Sequence, residues 1–513
     1  MNTALLIFVL LYLVGTLAVG AWASTRIKNT EDFAVAGHSL PLIMVITTSF
    51  ATWFGAETVM GIPAKFVEGG LHAVVEDPFG ASMCLVLVGL FFATRLYKLN
   101  LLTIGDFYRK RFGVLVEVLC SIMIILSYLG WVAAQITALG LVFDILSGGQ
   151  IGHAQGMVIG TVLVLVYVMM GGMLAVAWTD FIQMIVLVLG LSYIAWVSAD
   201  MVGGSDKVFA LAKQNDWFHI LPPPTIKDWG FFIAAASTRK SGAIPQQDVF
   251  HRVMSARDVR SARLGAVIGG LCYLAFAFVP MFIVAAALLK MPEHAKELLS
   301  SDPQRVLPAM ILDHMPFFAQ VLFFGALVSA IKSCSSATLL APSTSFVENI
   351  LRHLVPGLRD KQLLFSMRLT IFIFTTMVLT YAILTRGTPI YELVSSAYQI
   401  TLVGSFVPLT AGLYWRRSTS QGAVLSIVLG VVCWGVVAFS KYLPGLDGLD
   451  EVLPAQLVGL GAAVLGMLIG SLGPQWIGNR CLLNLDEIGN LESSHPHEYH
   501  HQGYRPHGES ESK

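Results

Sequence analysis

The sequence predicts an all-α integral membrane protein, for three reasons. Of 513 residues, 55% are hydrophobic and only 12% charged, about half the charge that a water-soluble domain carries. Apolar stretches near 20 residues, the length that crosses a bilayer as a helix, recur along almost the whole chain. Lys and Arg gather in alternate connections between those stretches, the bias that orients membrane helices. The formal net charge is zero, so nothing points to nucleic acid or another polyanion.

Thirteen spans are expected. The first, residues 4–23, has no Lys or Arg before it and is long enough to cross a membrane. It therefore reads as an uncleaved helix, although Ala21-Trp22-Ala23 resembles a cleavage site. The next five are 41–64, 74–94, 115–145, 154–172 and 179–201. Seven more follow at 229–249, 264–289, 317–342, 363–385, 390–414, 423–439 and 454–477. With the N-terminus outside, the inner loops and the tail hold twenty Lys and Arg and the outer loops nine. That predicts N-out, C-in. The remaining three, Arg239, Lys240 and Lys332, fall inside spans, where a charge is costly and marks function.

Residues 1–477 are expected to form the transmembrane domain. Residues 478–513 form a polar cytoplasmic tail, with His495, His497, His500, His501 and His507 near its end. A disordered tail is the expectation, with metal binding as the alternative. The six cysteines show neither a disulfide framework nor metal-ligand spacing.

Two spans are interrupted. The second carries hydroxyls, Gly55 and Glu57 at its middle. The seventh is apolar only up to Ser237-Thr-Arg239-Lys240, then runs through Gly242 and Pro245. Interrupted helices five apart point to an inverted repeat with a binding site at the midplane. There, unwound carbonyls can face a cation and free amides an anion.

Four motifs then resemble the sodium/solute symporter family, in order and over roughly residues 1 to 477. They are Ala36-Gly-His-Ser-Leu40, Gly171-Gly-Met-Leu-Ala-Val-Ala-Trp-Thr-Asp180-Phe-Ile-Gln183, Gly242-Ala-Ile-Pro-Gln-Gln-Asp-Val-Phe-His-Arg252 and Leu339-Leu-Ala-Pro-Ser-Thr-Ser-Phe-Val-Glu-Asn349. The resemblance implies the leucine-transporter-type fold, two inverted repeats of five helices at about 41–201 and 229–414, with the other three spans peripheral. It also implies alternating-access symport of a small organic solute, no enzymatic activity, no cofactor and sodium as coupling ion. Expected partners are that solute, sodium and the bilayer of a bacterial-type inner membrane, for a monomer or weak oligomer.

Carried over by position, the sodium ligands would be the carbonyls of Ala51, Phe54 and Ala330 with the side chains of Ser333 and Cys334. Cys334 departs from the usual hydroxyl, and Lys332 from the usual apolar residue. Asp180 would line the inner sodium path, or cap a helix in a box with Gln183. The solute residues implied are Trp53, Glu57, Trp131, Gln135 and Arg239. Arg239 would bind a carboxylate through its planar fork, which leans the solute toward a carboxylate or amino acid, or else pair with Glu57. Glu76 and Asp77 read as structural. Two alternatives stand: sodium-independent or proton-coupled transport with Lys332 replacing the ion, and a transporter-like membrane sensor.

Overall fold

A computed structural model describes residues 3–446 and 448–477. The expected tail, 478–513, lies outside the described residues. Fourteen long helices build the body. They are α1 (Thr3–Ser24), α2 (Leu42–Trp53), α3 (Glu57–Ala73), α4 (Val75–Lys98), α5 (Val114–Ser147), α6 (His153–Met201) and α7 (Ile226–Gly242). They continue with α8 (Gln247–Ser255), α9 (Val259–Lys290), α10 (Phe317–Leu354), α11 (Asp360–Leu384), α12 (Ile390–Tyr414), α13 (Ser420–Ala438) and α14 (Ala455–Leu472).

The second span is broken. α2 and α3 bend by 56° across residues 54–56, where Phe54 leaves the helical region at φ −87°, ψ 74°. Gly55 permits the break to be crowded. A Cβ there would stand 2.6 Å from Glu57 Oε2 and 3.0 Å from both Cys334 Sγ and Gln135 Oε1. The seventh span is likewise two helices, α7 and α8, separated by residues 243–246. Pro245 has no N–H to continue the ladder. Thr401 Oγ1 instead donates to Gly242 O at 2.6 Å, and Gln246 Nε2 to Ser127 Oγ at 2.9 Å.

Spans five and six run together as α6, which a kink at Gly172, with φ +51° and ψ −153°, divides into two helices each long enough for one crossing. One span differs from the sequence reading. The ninth span runs past residue 342 to Leu354. Pro342 withholds one amide, but Ser343 Oγ and Thr344 Oγ1 bond Leu339 O and Leu340 O at 2.9 and 3.0 Å. Carbonyls near the proline thus keep partners inside the bundle.

Packing is inverted relative to a soluble protein. Apolar side chains such as Leu11, Val162, Leu189, Phe365 and Ile373 face outward, while Thr48, Glu57, Gln135, Asp180 and Arg239 are buried. Small residues bring the core helices together, as apolar solvent supplies no hydrophobic drive between them. Gly265 and Gly269 of α9 lie one turn apart against Val45 and Ser49 of α2. This places α9 beside the first break.

Candidate functional site

Two clusters meet at the α2–α3 break. The first gathers the expected solute residues. Trp53, Glu57, Trp131 and Gln135 are wholly buried, and Arg239 is 1% exposed, so the centre is closed to both sides. Glu57, on the first turn of α3, receives Gln135 Nε2 of α5 at 2.7 Å on one oxygen and Arg239 Nη2 of α7 at 3.3 Å on the other. Gln135 Oε1 accepts from Ala56 N at 3.0 Å. One glutamine thus satisfies both a freed backbone amide and the carboxylate, the complete pairing that buried polar groups require.

Arg239 has a second acid. Its Nη1 pairs with Asp77 of α4, whose other oxygen takes Tyr273 OH at 2.6 Å. Asp77, read from the sequence as structural, is therefore part of the central network. An aspartate before Pro78 in an apolar span was the available signal. Sequence reasoning missed three other residues. Tyr398 of α12 has its ring centre 5.0 Å from the Arg239 guanidinium, and Trp53, itself 6.4 Å from Tyr398, has its ring centre 5.3 Å from it. Trp131 packs on Trp53 and Tyr398 at 6.3 and 5.4 Å. Tyr273 and Tyr398 sit in apolar runs and leave no pattern of their own. Asp248, inside a quoted motif, fixes α8 through a reciprocal pair with Tyr128 at 2.6 and 2.9 Å.

The alternative reading of Arg239 is the one the geometry supports. A guanidinium held by two carboxylates and lying beside two adjacent aromatic rings is neutralised, not free to receive an anion. Lys240 next to it is half-buried and outside this network.

The second cluster surrounds Asp180. Thr48 Oγ1 of α2 donates to Asp180 Oδ2 at 2.6 Å, and Ser333 Oγ of α10 to Oδ1 at 2.5 Å. The capping-box reading of Asp180 and Gln183 is corrected: Asp180 lies in the interior of α6, where there is no helix end to cap. Its carboxylate instead ties together three core helices. Lys332 Nζ, buried and without a hydrogen bond to the described residues, rests 3.6 Å from the Tyr167 ring centre and within electrostatic reach of Asp180. Tyr167 OH in turn meets Thr179 Oγ1 at 2.6 Å.

Ser333 and Cys334 point to different clusters, as adjacent helical positions must. Ser333 faces Asp180, and Cys334 faces Gly55 beside Glu57 and Gln135. Ala51 and Phe54 bracket the last turn of α2. Carbonyls of a helix's last turn lack intrahelical partners and carry the negative end of the dipole.

A family model for the sodium:solute symporter family matches residues 33–430. The chain belongs to that family. It is a multi-pass membrane transporter, not an enzyme, and performs sodium-coupled symport of a small solute. Among its relatives, the human high affinity choline transporter 1 is 25% identical, covering 83% of this chain and 75% of the relative. The sodium/glucose cotransporter of Vibrio parahaemolyticus is 24% identical, covering 86% of each. Solved structures agree on the fold. A Na+-coupled sialic acid symporter in a substrate-bound outward-open state superposes with a TM-score of 0.76 at 21% identity, covering 92% of this chain and 98% of that one. MhsT in complex with L-phenylalanine superposes at 0.55 and 14% identity, over 85% and 99%. The leucine-transporter-type fold expected from the motifs and the two interrupted helices is thus the fold observed.

Proposed function

We propose that this symporter carries a small solute with a positively charged head group, such as a quaternary ammonium or a zwitterion. The observation that carries this reading is the imbalance at the centre. Two buried carboxylates, Glu57 and Asp77, face one guanidinium, and the rings of Trp53 and Tyr398 already lie within cation–π distance of it. Aromatic faces in a dry site favour a cation by about 2 kcal/mol, and the surplus carboxylate adds to that. The lean toward a purely anionic solute needed Arg239 free, so its double pairing shifts the reading to the opposite charge. The choline transporters among its relatives agree with it.

The sodium ion in this reading sits at the last turn of α2. Its oxygens come from Ala51, Phe54 and Ala330 carbonyls and from Ser333, with Asp180 behind them, a donor set suited to a hard cation. Cys334, turned toward Glu57, belongs to the solute side. One charge moving through 100 mV supplies about 2.3 kcal/mol, enough for roughly fifty-fold accumulation. The protein works in this way as a monomer or weak oligomer in a bacterial-type inner membrane.

A second reading keeps one specific observation. Lys332 places an ammonium beside Asp180, where it would substitute for the ion and leave uptake independent of sodium. Labelled choline, glycine betaine, proline and lactate, offered to proteoliposomes with and without an inward sodium gradient, separate these readings. Sodium-driven accumulation of choline or betaine is expected. Accumulation of lactate alone overturns the solute class, and uptake indifferent to sodium favours Lys332.

A further inference from the structure

We propose that Arg239 is the transporter's own stand-in for the solute: its guanidinium occupies the cationic place beside Trp53 and Tyr398 when the carrier is empty, and yields it when solute arrives. The inference rests on the cationic-head reading above. Net accumulation requires the carrier to close and return without solute, whereas exchange cycles only the loaded form. An empty return is electrostatically hard here. With its positive solute gone, Glu57 would be a carboxylate in a dry site with Gln135 as its polar neighbour, and an unpaired buried charge is strongly destabilising.

The geometry of Arg239 fits a releasable occupant. One arm is firmly placed, because Asp77 is itself held by Tyr273 at 2.6 Å, and Tyr273 meets Thr58 Oγ1 at 3.0 Å. The other arm is the longer one, 3.3 Å to Glu57. Nε makes no hydrogen bond to the described residues. Gln135 holds the far oxygen of Glu57 at 2.7 Å, so Glu57 stays in position when the arm lets go. Arg239 also lies in the last turn of α7, directly before the 243–246 break, the part of the span freest to pivot. In the empty carrier the guanidinium bridges Asp77 and Glu57. In the loaded carrier it keeps Asp77 alone, and the solute's positive head takes Glu57 and the aromatic faces. The two carboxylates then share one counter-charge in the empty state and have one each in the loaded state.

The test compares two fluxes in proteoliposomes holding wild type, Arg239→Gln or Arg239→Lys, with labelled choline as the first probe. One flux is sodium-driven net uptake into solute-free vesicles; the other is exchange against choline inside. Arg239→Gln is expected to lower net uptake at least tenfold more than exchange, with Arg239→Lys in between. Millimolar guanidinium ion on both sides is expected to restore net uptake in Arg239→Gln at least threefold. A parallel fall in both fluxes, with no guanidinium rescue, overturns the proposal, as does an unchanged ratio. If wild type accumulates another member of the panel, the same ratio is measured with that compound. Failure of the solute class then shows in the panel, and failure of this inference in the ratio.

Discussion

Ser333 of α10 donates a 2.5 Å hydrogen bond to Asp180 of α6. Thr48 of α2 holds the other oxygen of the same carboxylate at 2.6 Å, so three core helices converge on one acid next to the proposed sodium site. Hydrogen bonds to a charged group contribute about 1.5–3 kcal/mol. Ser333→Ala is therefore expected to raise the sodium concentration for half-maximal uptake by roughly tenfold or more. Asp180→Asn, which keeps the shape and removes the charge, should raise it further. Solute affinity at saturating sodium should change little in either. Uptake titrated with sodium in proteoliposomes checks this, and an unaltered sodium requirement in Asp180→Asn would remove Asp180 from the ion path.

Lys332 gives the discriminating substitution at the same place. Its ammonium lies over Tyr167 and in reach of Asp180, so it opposes a second cation there. Removing it with Lys332→Met should lower the half-saturating sodium concentration roughly several-fold, since a buried ammonium repels a second cation placed near it. If Lys332 instead replaces the ion, the same variant loses uptake altogether, and wild type shows no response to sodium.

What the sequence made legible follows from its physics. Helix lengths and loop charges are set by the bilayer, so the all-helical membrane fold and the break in the second span could be read from the pattern of apolar and polar residues. Glu57, Gln135 and Arg239 stood out because a polar side chain at membrane depth needs a partner, and the structure joins all three. The partner of Arg239 was harder to see. Asp77 sits next to a loop in sequence, and only the packing of α4 against α7 carries it to the centre. Tyr398 was invisible, because an aromatic residue in an apolar helix has the same pattern whether it faces lipid, core or ligand. The direction of Cys334 was hidden too, because it depends on the rotation of α10 and not on its identity.

Tyr398 offers a clean separation of ring from hydroxyl. Its ring covers Arg239 at 5.0 Å, while its hydroxyl makes no hydrogen bond to the described residues. If the face of the ring is what the site uses, Tyr398→Phe should leave half-saturating solute within about twofold. Tyr398→Leu should raise it by roughly 2- to 30-fold, the worth of one cation–π contact. Equal effects of the two substitutions would show that the hydroxyl, not the face, matters.

Gly172 carries the kink that lets α6 make two crossings. Its φ of +51° with ψ of −153° is backbone that side-chain-bearing residues avoid at about 1–3 kcal/mol. There is no space for a side chain either: a Cβ would stand 2.5 Å from Phe33 O and 2.6 Å from the Phe33 ring. Gly172→Ala is expected to lower the thermal unfolding midpoint in detergent by several degrees. An unchanged midpoint would mean that the two halves of α6 rearrange freely around residue 172.

The end of α10 that the charge bias assigns to the cytoplasm supplies the last prediction. Asn349 Nδ2 donates to Thr103 Oγ1 at 2.8 Å and to Glu117 Oε1 at 2.9 Å. His353 Nε2 contacts the other oxygen of Glu117 at 2.8 Å. Thr103 caps the short helix Ile104–Phe112 in a box with Asp106. One amide therefore ties α10, α5 and that helix across the inner end of the closed carrier, and opening inward must separate them. Asn349→Ala leaves Glu117 buried with one donor fewer, a loss of about 1–3 kcal/mol borne by the closed state. The variant should unfold at lower temperature and exchange solute faster, with the sodium requirement unchanged, because Asn349 lies more than four helical turns from Ser333 along α10. Slower exchange at equal thermal stability would instead make this hub a brace that must stay joined throughout the cycle.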